Sequence, residues 1–227
     1  MLISVRMKKN KDVSIGAKNN GRQLSPVKVD VLLSEEQITA SRITGQLKNK
    51  QLRAIELRGC ELNKIDLVGC ICAKVDSEET LFENCDLANS ILQESTYYDS
   101  TFSNCRMTGT SFARSTFKNA VMTGSKCNMA SFRFCKFTHC EFHNCDLRAA
   151  DFQGADLSGT VFRNCDLTEG QMSQAILKKT DLRSCTINGL KVGITELSGS
   201  MITLSQFMLI ADLLNITVEE LHSTSSS

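Results

Sequence analysis

The sequence predicts an all-β protein built as a four-sided parallel solenoid, and two regular columns of residues predict it. A large hydrophobic residue recurs at every fifth position from Leu52 to Phe207, and 28 of these 32 positions hold Leu, Phe, Met, Ile or Val. Two residues before each one lies a side chain that is almost always Cys, Ser, Thr, Ala or Gly up to residue 185. A period of five matches neither an α-helix nor a flat strand. The chain must therefore turn a corner after every five residues.

A longer period of twenty residues predicts the number of sides. Two sets of residues share it: Cys85, Cys105, Cys145, Cys165 and Cys185, and Phe82, Phe102, Phe142 and Phe162. Twenty residues are four units of five, so that identical residues lie above one another when each coil has four sides. Parallel strands about 4.8 Å apart would then give a rod of roughly 35 Å between residues 50 and 200.

The unit itself resembles a known family. Residues 85–89 read CDLAN and residues 150–154 read ADFQG. This order resembles the motif of the pentapeptide-repeat family, which is a small residue, Asp or Asn, Leu or Phe, and two polar residues. The resemblance covers about residues 50–200. It implies a right-handed quadrilateral parallel β-helix over residues 50–202.

The segment before the repeat, residues 1–49, is predicted to be a basic non-repeat cap. It contains nine Lys and Arg and four Asp and Glu. Val27, Val29 and Val31 alternate as in a strand, and Ser34 with Gln37 is typical of a helix start. We expect a strand and a short helix that cover the first coil, because the end of a solenoid needs a cap.

The segment after the repeat, residues 203–222, is predicted to be a helical cap. Thr203 and Gln206 fit a capping box, and Asn215 suits a helix exit. Residues 223–227 are a Ser-rich tail that we expect to be disordered. The cap also resembles the dimerisation module of gyrase-binding members of the family, and that resemblance implies a homodimer. Its candidate contacts are Phe207, Leu209, Leu213, Leu214 and Ile216, which alternatively only cover the last coil.

The eleven cysteines are predicted to be buried, reduced thiols, because all of them fall in the two inward columns. Cys135, Cys140 and Cys145 with His139 and His143 look like a zinc motif as a string. The repeat register turns these side chains in different directions, so no metal or other cofactor is expected. No catalytic constellation is apparent, and we expect no enzyme activity.

Two functions remain open. The family resemblance implies a rod that mimics duplex DNA, binds a type II topoisomerase such as DNA gyrase and protects it from quinolones. Residues 50–200 hold 18 acidic and 17 basic residues, and the loops of quinolone-protecting members are absent, so the resemblance to that subgroup is partial. Candidate acidic contacts are Asp146, Asp151, Asp156 and Asp166.

The alternative is a general scaffold, adaptor or effector that binds another protein through outward apolar residues. Ile71 and Ile91 are predicted to lie on one wall, and Leu81, Val121 and Val161 on another. No direct binding of nucleic acid is expected. The sequence contains no apolar stretch of transmembrane length and no signal peptide, so a cytoplasmic location is expected.

Overall fold

The computed structural model describes residues 23–72 and 74–218. These residues form short strands and two helices. In chain order they are β1 (Ser25–Lys28), α1 (Val31–Ser34), β2 (Gln37–Thr39), β3 (Ser41–Thr44), β4 (Gln51–Leu52), β5 (Ile55–Arg58), β6 (Glu61–Asn63), β7 (Ile71–Cys72), β8 (Val75–Glu78), β9 (Leu81–Glu83), β10 (Thr96–Tyr98), β11 (Thr101–Ser103), β12 (Thr116–Lys118), β13 (Val121–Thr123), β14 (Lys136–Thr138), β15 (Glu141–His143), β16 (Val161–Arg163) and α2 (Leu204–Leu213).

The strands form the walls of a parallel solenoid of about seven turns. Wall A is the sheet β1-β3-β6-β9-β11-β13-β15-β16, and wall D is the sheet β2-β5-β8-β10-β12-β14. Wall C contains β4 and β7 and continues through single bridges from Ile71 to Lys191, and wall B consists of single bridges from Gln46 to Thr186. The predicted four-sided fold is confirmed, because beyond the first coil each wall pairs residues that are twenty positions apart.

The first coil differs from the prediction. β2 pairs with β5, and β3 with β6, in a register of nineteen residues (Gln37 opposite Glu56, Arg42 opposite Glu61). The four-sided coil therefore begins before residue 50, and the predicted non-repeat segment up to residue 49 is wrong. The inward residues are Ile38, Ile43, Leu47 and Leu52. Ile43 and Leu47 are four residues apart instead of five, so Ile38 and Ile43 do not fall in the five-residue column that begins at Leu52.

The N-terminal cap also differs in detail. The predicted helix start at Ser34 is wrong, because α1 ends there and Gln37 already belongs to β2. Leu32 of α1 is buried and covers the end of the core. β1 is the outermost strand of its sheet and contains Pro26. Proline has no N–H to donate, so it is tolerated at a sheet edge, where no ladder hydrogen bond is lost. The basic stretch from Arg6 to Lys11 lies outside the described residues.

The interior follows the predicted column of large residues. Phe rings of successive coils stack face to face: the ring centroids of Phe82 and Phe102 lie 4.5 Å apart, and those of Phe142 and Phe162 lie 4.8 Å apart. Rings on opposite walls meet edge to face, as Phe152 and Phe162 do at 6.0 Å. The edge-to-face arrangement suits the quadrupole of the ring.

The small column carries hydrogen-bond donors as well as small volume. Cys85 Sγ donates to the Leu62 carbonyl at 3.1 Å, and Thr110 Oγ1 donates to the Leu87 carbonyl at 2.6 Å. The acceptor lies 23 residues earlier, in the coil below. Backbone carbonyls that are buried at the corners need such partners, so Cys, Ser and Thr are suited to this column.

The C-terminal cap forms as predicted. Thr203 and Gln206 make a capping box at the start of α2. Asn215 has a φ of 55°, and Ile216 N–H donates to the Ala211 carbonyl at 2.8 Å, which closes the helix in a Schellman motif. Residues 219–227, which include the predicted tail, lie outside the described residues. Within the described part of the chain, no helix is long and apolar enough to cross a membrane.

Candidate interaction surfaces

The outward apolar residues divide into an exposed and a covered set. Ile71 and Ile91 lie one above the other on wall C, with 42% and 38% of their surface exposed. On wall A, Leu81 and Val161 are half-buried. Val121 is only 4% exposed, because Thr101 and Glu141 flank it on the adjacent strands. The prediction that Val121 presents an apolar contact is therefore wrong, and Ile71 with Ile91 is the exposed pair.

The predicted acidic contacts have structural partners. The carboxylates of Asp146, Asp151, Asp156 and Asp166 each accept a hydrogen bond from the backbone N–H two residues later, at 2.9–3.2 Å. This bond supports the turn at each corner. Asp at the second position of a unit is thus explained by the local fold, independently of any partner.

Basic side chains neutralise several of the same carboxylates. Arg148 Nη2 lies 2.7 Å from Asp146 Oδ2, and Arg133 Nη1 lies 3.0 Å from Asp151 Oδ2. The Arg148 guanidinium holds the pKa of Asp146 below its ordinary value. Lower on wall B, Lys48 pairs with Asp66 and Arg106 pairs with Asp86. The walls therefore alternate in charge, whereas the phosphates of duplex DNA present an unbroken series of negative charge.

The Cys and His residues of the apparent zinc motif do not converge. Cys135, Cys140 and Cys145 are buried in the core, whereas His143 lies on the outer side of β15 with its Nε2 2.6 Å from Glu141 Oε2. No group of three or more metal-binding side chains is found in residues 23–72 and 74–218. Burial raises the pKa of the Cys135 thiol to about 12 and that of Cys140 to about 11. Such thiols are poor nucleophiles at neutral pH, because the thiolate is the reactive form.

The C-terminal cap has a broad exposed apolar face. α2 buries only Gln206, Ile210 and Ala211 against the last coil. All five predicted dimer contacts are exposed to solvent: Phe207, Leu209, Leu213, Leu214 and Ile216. Three further exposed residues, which the sequence did not single out, extend the same segment: Leu204, Met208 and Val218. The five predicted contacts are 36–52% exposed, so contact with a second copy and cover of the last coil both stay predictions.

Further exposed apolar residues escaped the sequence prediction, among them Met129 and Phe134. Met129 and Phe134 occupy the fifth position of their units, where the backbone is left-handed, with φ of 59° and 57°. They lie at the two corners that bound wall C in one coil. The sequence could have revealed them, because many units of this chain have Asn or Gly at the fifth position, where these two have a large apolar residue.

These features define a four-sided rod with a filled interior, capped ends and exposed apolar residues. The sequence profile described as "Pentapeptide repeat region" matches residues 75–152 and 135–207, which together span more than half of the chain. The chain belongs to the pentapeptide-repeat family. Among curated proteins, none matches this sequence.

Several solved structures of the same fold are similar to this chain. A trypsin-treated variant of QnrB1, a plasmid-mediated fluoroquinolone resistance protein, is 13% identical, with 78% of this chain and 100% of that chain covered and a TM-score of 0.45. HetL, a pentapeptide repeat protein involved in heterocyst differentiation regulation in Nostoc sp. strain PCC 7120, is 17% identical over 74% of this chain and 86% of its own, with a TM-score of 0.31. A pentapeptide repeat protein of the Arabidopsis thaliana thylakoid lumen is 15% identical over 65% of this chain and 76% of its own, with a TM-score of 0.18. These similarities concern the fold and transfer no function.

Proposed function

We propose that this chain is a non-catalytic rod that binds other proteins and forms a homodimer through its C-terminal cap. The observation that carries the proposal is the exposed apolar face of residues 204–218. This segment contains a single charged residue, Asp212. Exposed apolar patches of this kind mark interaction sites in soluble proteins.

A second copy of the chain is the occupant that the cap favours. The segment lies at the end of the rod, and a twofold interface lets the same patch bury itself against its copy. Gln206 and the capping box hold α2 on the last coil, so the exposed face is presented by a rigid element. Rigid anchors lose little conformational entropy on association.

The mass of the protein in solution tests the homodimer. We expect the wild-type chain to have twice the 25.1 kDa of one copy in light scattering at micromolar concentration. Leu213→Asp places a charge in the apolar face and is expected to give a monomer. Ile176→Asp introduces the same charge at an exposed position on wall D and should remain dimeric. A wild-type monomer would exclude the homodimer.

A type II topoisomerase is the most specific candidate partner of the rod. The family resemblance supports it, whereas the paired carboxylates of walls B and C argue against a simple imitation of DNA charge. DNA supercoiling by gyrase, with and without a quinolone, measures the effect directly. Inhibition or protection at micromolar concentrations of this protein would support the topoisomerase. Unchanged supercoiling in both conditions would exclude a topoisomerase as the partner and leave the general scaffold, adaptor or effector.

Ile71 and Ile91 are the apolar wall contacts that support the alternative of a general scaffold. A partner found for the wild-type chain should bind the double variant Ile71→Asp and Ile91→Asp at least tenfold more weakly. Ile176→Asp, which introduces the same charge at an exposed apolar residue of wall D, is the control and should bind normally. Equal affinity of the wild-type chain and the Ile71/Ile91 variant would dismiss this surface.

A further inference from the structure

Met129 and Phe134 are unusual for their backbone conformation. The left-handed region is unfavourable for bulky side chains, yet these residues are 66% and 50% exposed. Among the described non-glycine residues with positive φ, they are the only large apolar ones; the others are Asn, other polar or charged residues, or Ala. Exposure gives these side chains little burial in the fold to offset this conformational cost. A conformational cost with little burial to offset it supports the hypothesis of a functional surface.

Two neighbours contact the Phe134 ring. A Cβ at Gly154 would lie 2.5 Å from two ring atoms, so the ring rests on this glycine. On the same wall, Arg133 Cζ lies 5.6 Å from the ring centroid, and the guanidinium is bound to Asp151 at 3.0 Å. An aromatic side chain that is already ordered is a good anchor, because little rotamer freedom remains to be lost on binding.

Apart from Arg133, the outward residues of wall C between the two corners are small. Ser111, Ala113 and Ser131 are half-buried there. Met129 and Phe134 are therefore the large apolar side chains on this part of the wall. Phe, Met and Arg are enriched in the cores of protein interfaces.

Positive charge surrounds the aromatic anchor. Arg114 lies one coil below Phe134 at the same corner, and its contact with Glu94 is 3.5 Å long between side chains that are both about two-thirds exposed. Such a pair contributes little and is readily exchanged. Lys136, two residues after Phe134, is exposed and makes no ion pair with any described residue. Two carboxylates also lie nearby: Asp151 is bound to Arg133, and Asp156 lies opposite Lys136 in the next coil of wall D. Arg114 at the corner and Lys136 in β14 are therefore the cations that a partner's carboxylates can reach.

We propose that Met129 and Phe134 anchor an acidic segment of a protein partner on wall C. An apolar side chain of the segment contacts the two anchors, and its carboxylates pair with Arg114 and Lys136. This inference rests on the proposed function as a protein-binding rod. A nucleic acid fits less well, because Asp151 neutralises Arg133 and phosphate binding needs several unpaired cations.

A phage-displayed library of random 16-residue peptides, selected on the immobilised full chain, tests the surface. We expect the enriched peptides to combine Asp or Glu with large apolar residues. The best peptide should bind the double variant Met129→Asn and Phe134→Asn at least tenfold more weakly in fluorescence anisotropy. Asn occupies the fifth position of other units with the same left-handed backbone, as Asn84 and Asn104 do, so the variant should keep or raise its thermal midpoint. His139→Asn, at the next corner of the same coil, is the matched control and should bind normally.

Other outcomes overturn the proposal. These are the absence of enriched peptides, enrichment of basic peptides, or equal affinity of the wild-type chain and the double variant. Loss of self-association in the double variant would assign the surface to a second copy, and loss of oligo(dT) binding would assign it to single-stranded DNA. Selection on Leu213→Asp separates this proposal from that of the homodimer. Peptides that bind the monomeric variant support wall C, whatever the fate of the cap.

Discussion

At the scale of single residues, the corner positions combine two independent constraints. Gly154 and Gly159 both have left-handed backbones, with φ of 67° and 73°. Only Gly154 lies against a large side chain, since a Cβ at Gly159 would meet nothing within 4 Å. The two glycines therefore form a matched pair in which conformational cost is separated from steric contact.

Replacement of each glycine by alanine should reveal the difference. Gly159→Ala is expected to lower the free energy of unfolding by about 1–2 kcal/mol, the cost of a left-handed alanine. Gly154→Ala should cost about 1 kcal/mol more, because the Phe134 ring must move. Urea denaturation measures both values. In a Phe134→Ala background the two substitutions should become equal, and a persistent difference would contradict the role assigned to the ring.

The buried thiols predict a loss of stability at alkaline pH. Burial raises the pKa of Cys135 to about 12 and of Cys140 to about 11, from the ordinary 9.0. Above pH 9 these thiols ionise in the unfolded chain but stay protonated in the folded one. The free energy of unfolding should therefore fall as the pH rises from 9 to about 11, by up to about 1.4 kcal/mol per pH unit for each thiol.

The urea midpoints at pH 8 and pH 10 test this effect. The double variant Cys135→Ser and Cys140→Ser is the control for other titrating groups, because serine does not ionise in this range. Its midpoint should change less between the two pH values than that of the wild-type chain. An identical change in both proteins would show that these thiols do not contribute.

At the scale of elements, Gln206 joins the helical cap to the solenoid. Its Nε2 donates to the carbonyls of Leu182 and Cys185, both at 2.8 Å, and its Oε1 accepts from Thr203 N–H. Gln206→Ala removes these bonds and takes from the Cys185 carbonyl its side-chain partner, whereas the Leu182 carbonyl still accepts from Cys185 N–H at 3.0 Å. We expect a loss of about 2–4 kcal/mol, measured as faster amide hydrogen exchange in Leu204–Leu213. Ser205→Ala, on the exposed side, should leave the exchange nearly unchanged.

The elements also show which parts of the structure can be predicted from sequence. The five-residue columns predict the coils because each wall places its third residue inward, whatever the details of the strand. The nineteen-residue first coil could not be found in this way, because one missing residue before Leu47 breaks the count. The burial of Val121 depends on Thr101 and Glu141, which are twenty residues away. The exposure of Phe134 depends likewise on Gly154 in the next coil. Contacts between coils, rather than local pattern, decide which outward residues are available for binding.

At the scale of the whole molecule, the filling of the core varies along the rod. The coils between Phe112 and Phe162 contain closely stacked rings. The coil with Cys72 and Ser77 has two small residues in the large column, and a cavity of about 30 Å³ lies in this region. In a solenoid each coil contacts chiefly its neighbours, so local stability should follow this filling.

Amide hydrogen exchange along the chain measures that gradient. We expect the slowest exchange in the Phe-rich coils and exchange at least tenfold faster around Ser77 under native conditions. Leu157, in the same wall as Ser77 but in a filled coil, is the internal comparison. Uniform protection from Ile55 to Leu182 would mean that the rod opens as one cooperative body.

Because each coil has twenty residues, the number of residues between two surface groups determines the angle between them about the axis of the rod. Ile71 and Ile91 are separated by one coil and face the same way. Insertion of twenty residues between wall C and the cap would lengthen the rod by about 4.8 Å without rotation. Insertion of five would turn every later surface by a quarter revolution relative to the earlier ones. The number of inserted residues therefore sets the distance along the rod and the angle about its axis between any two binding groups, independently of their chemistry.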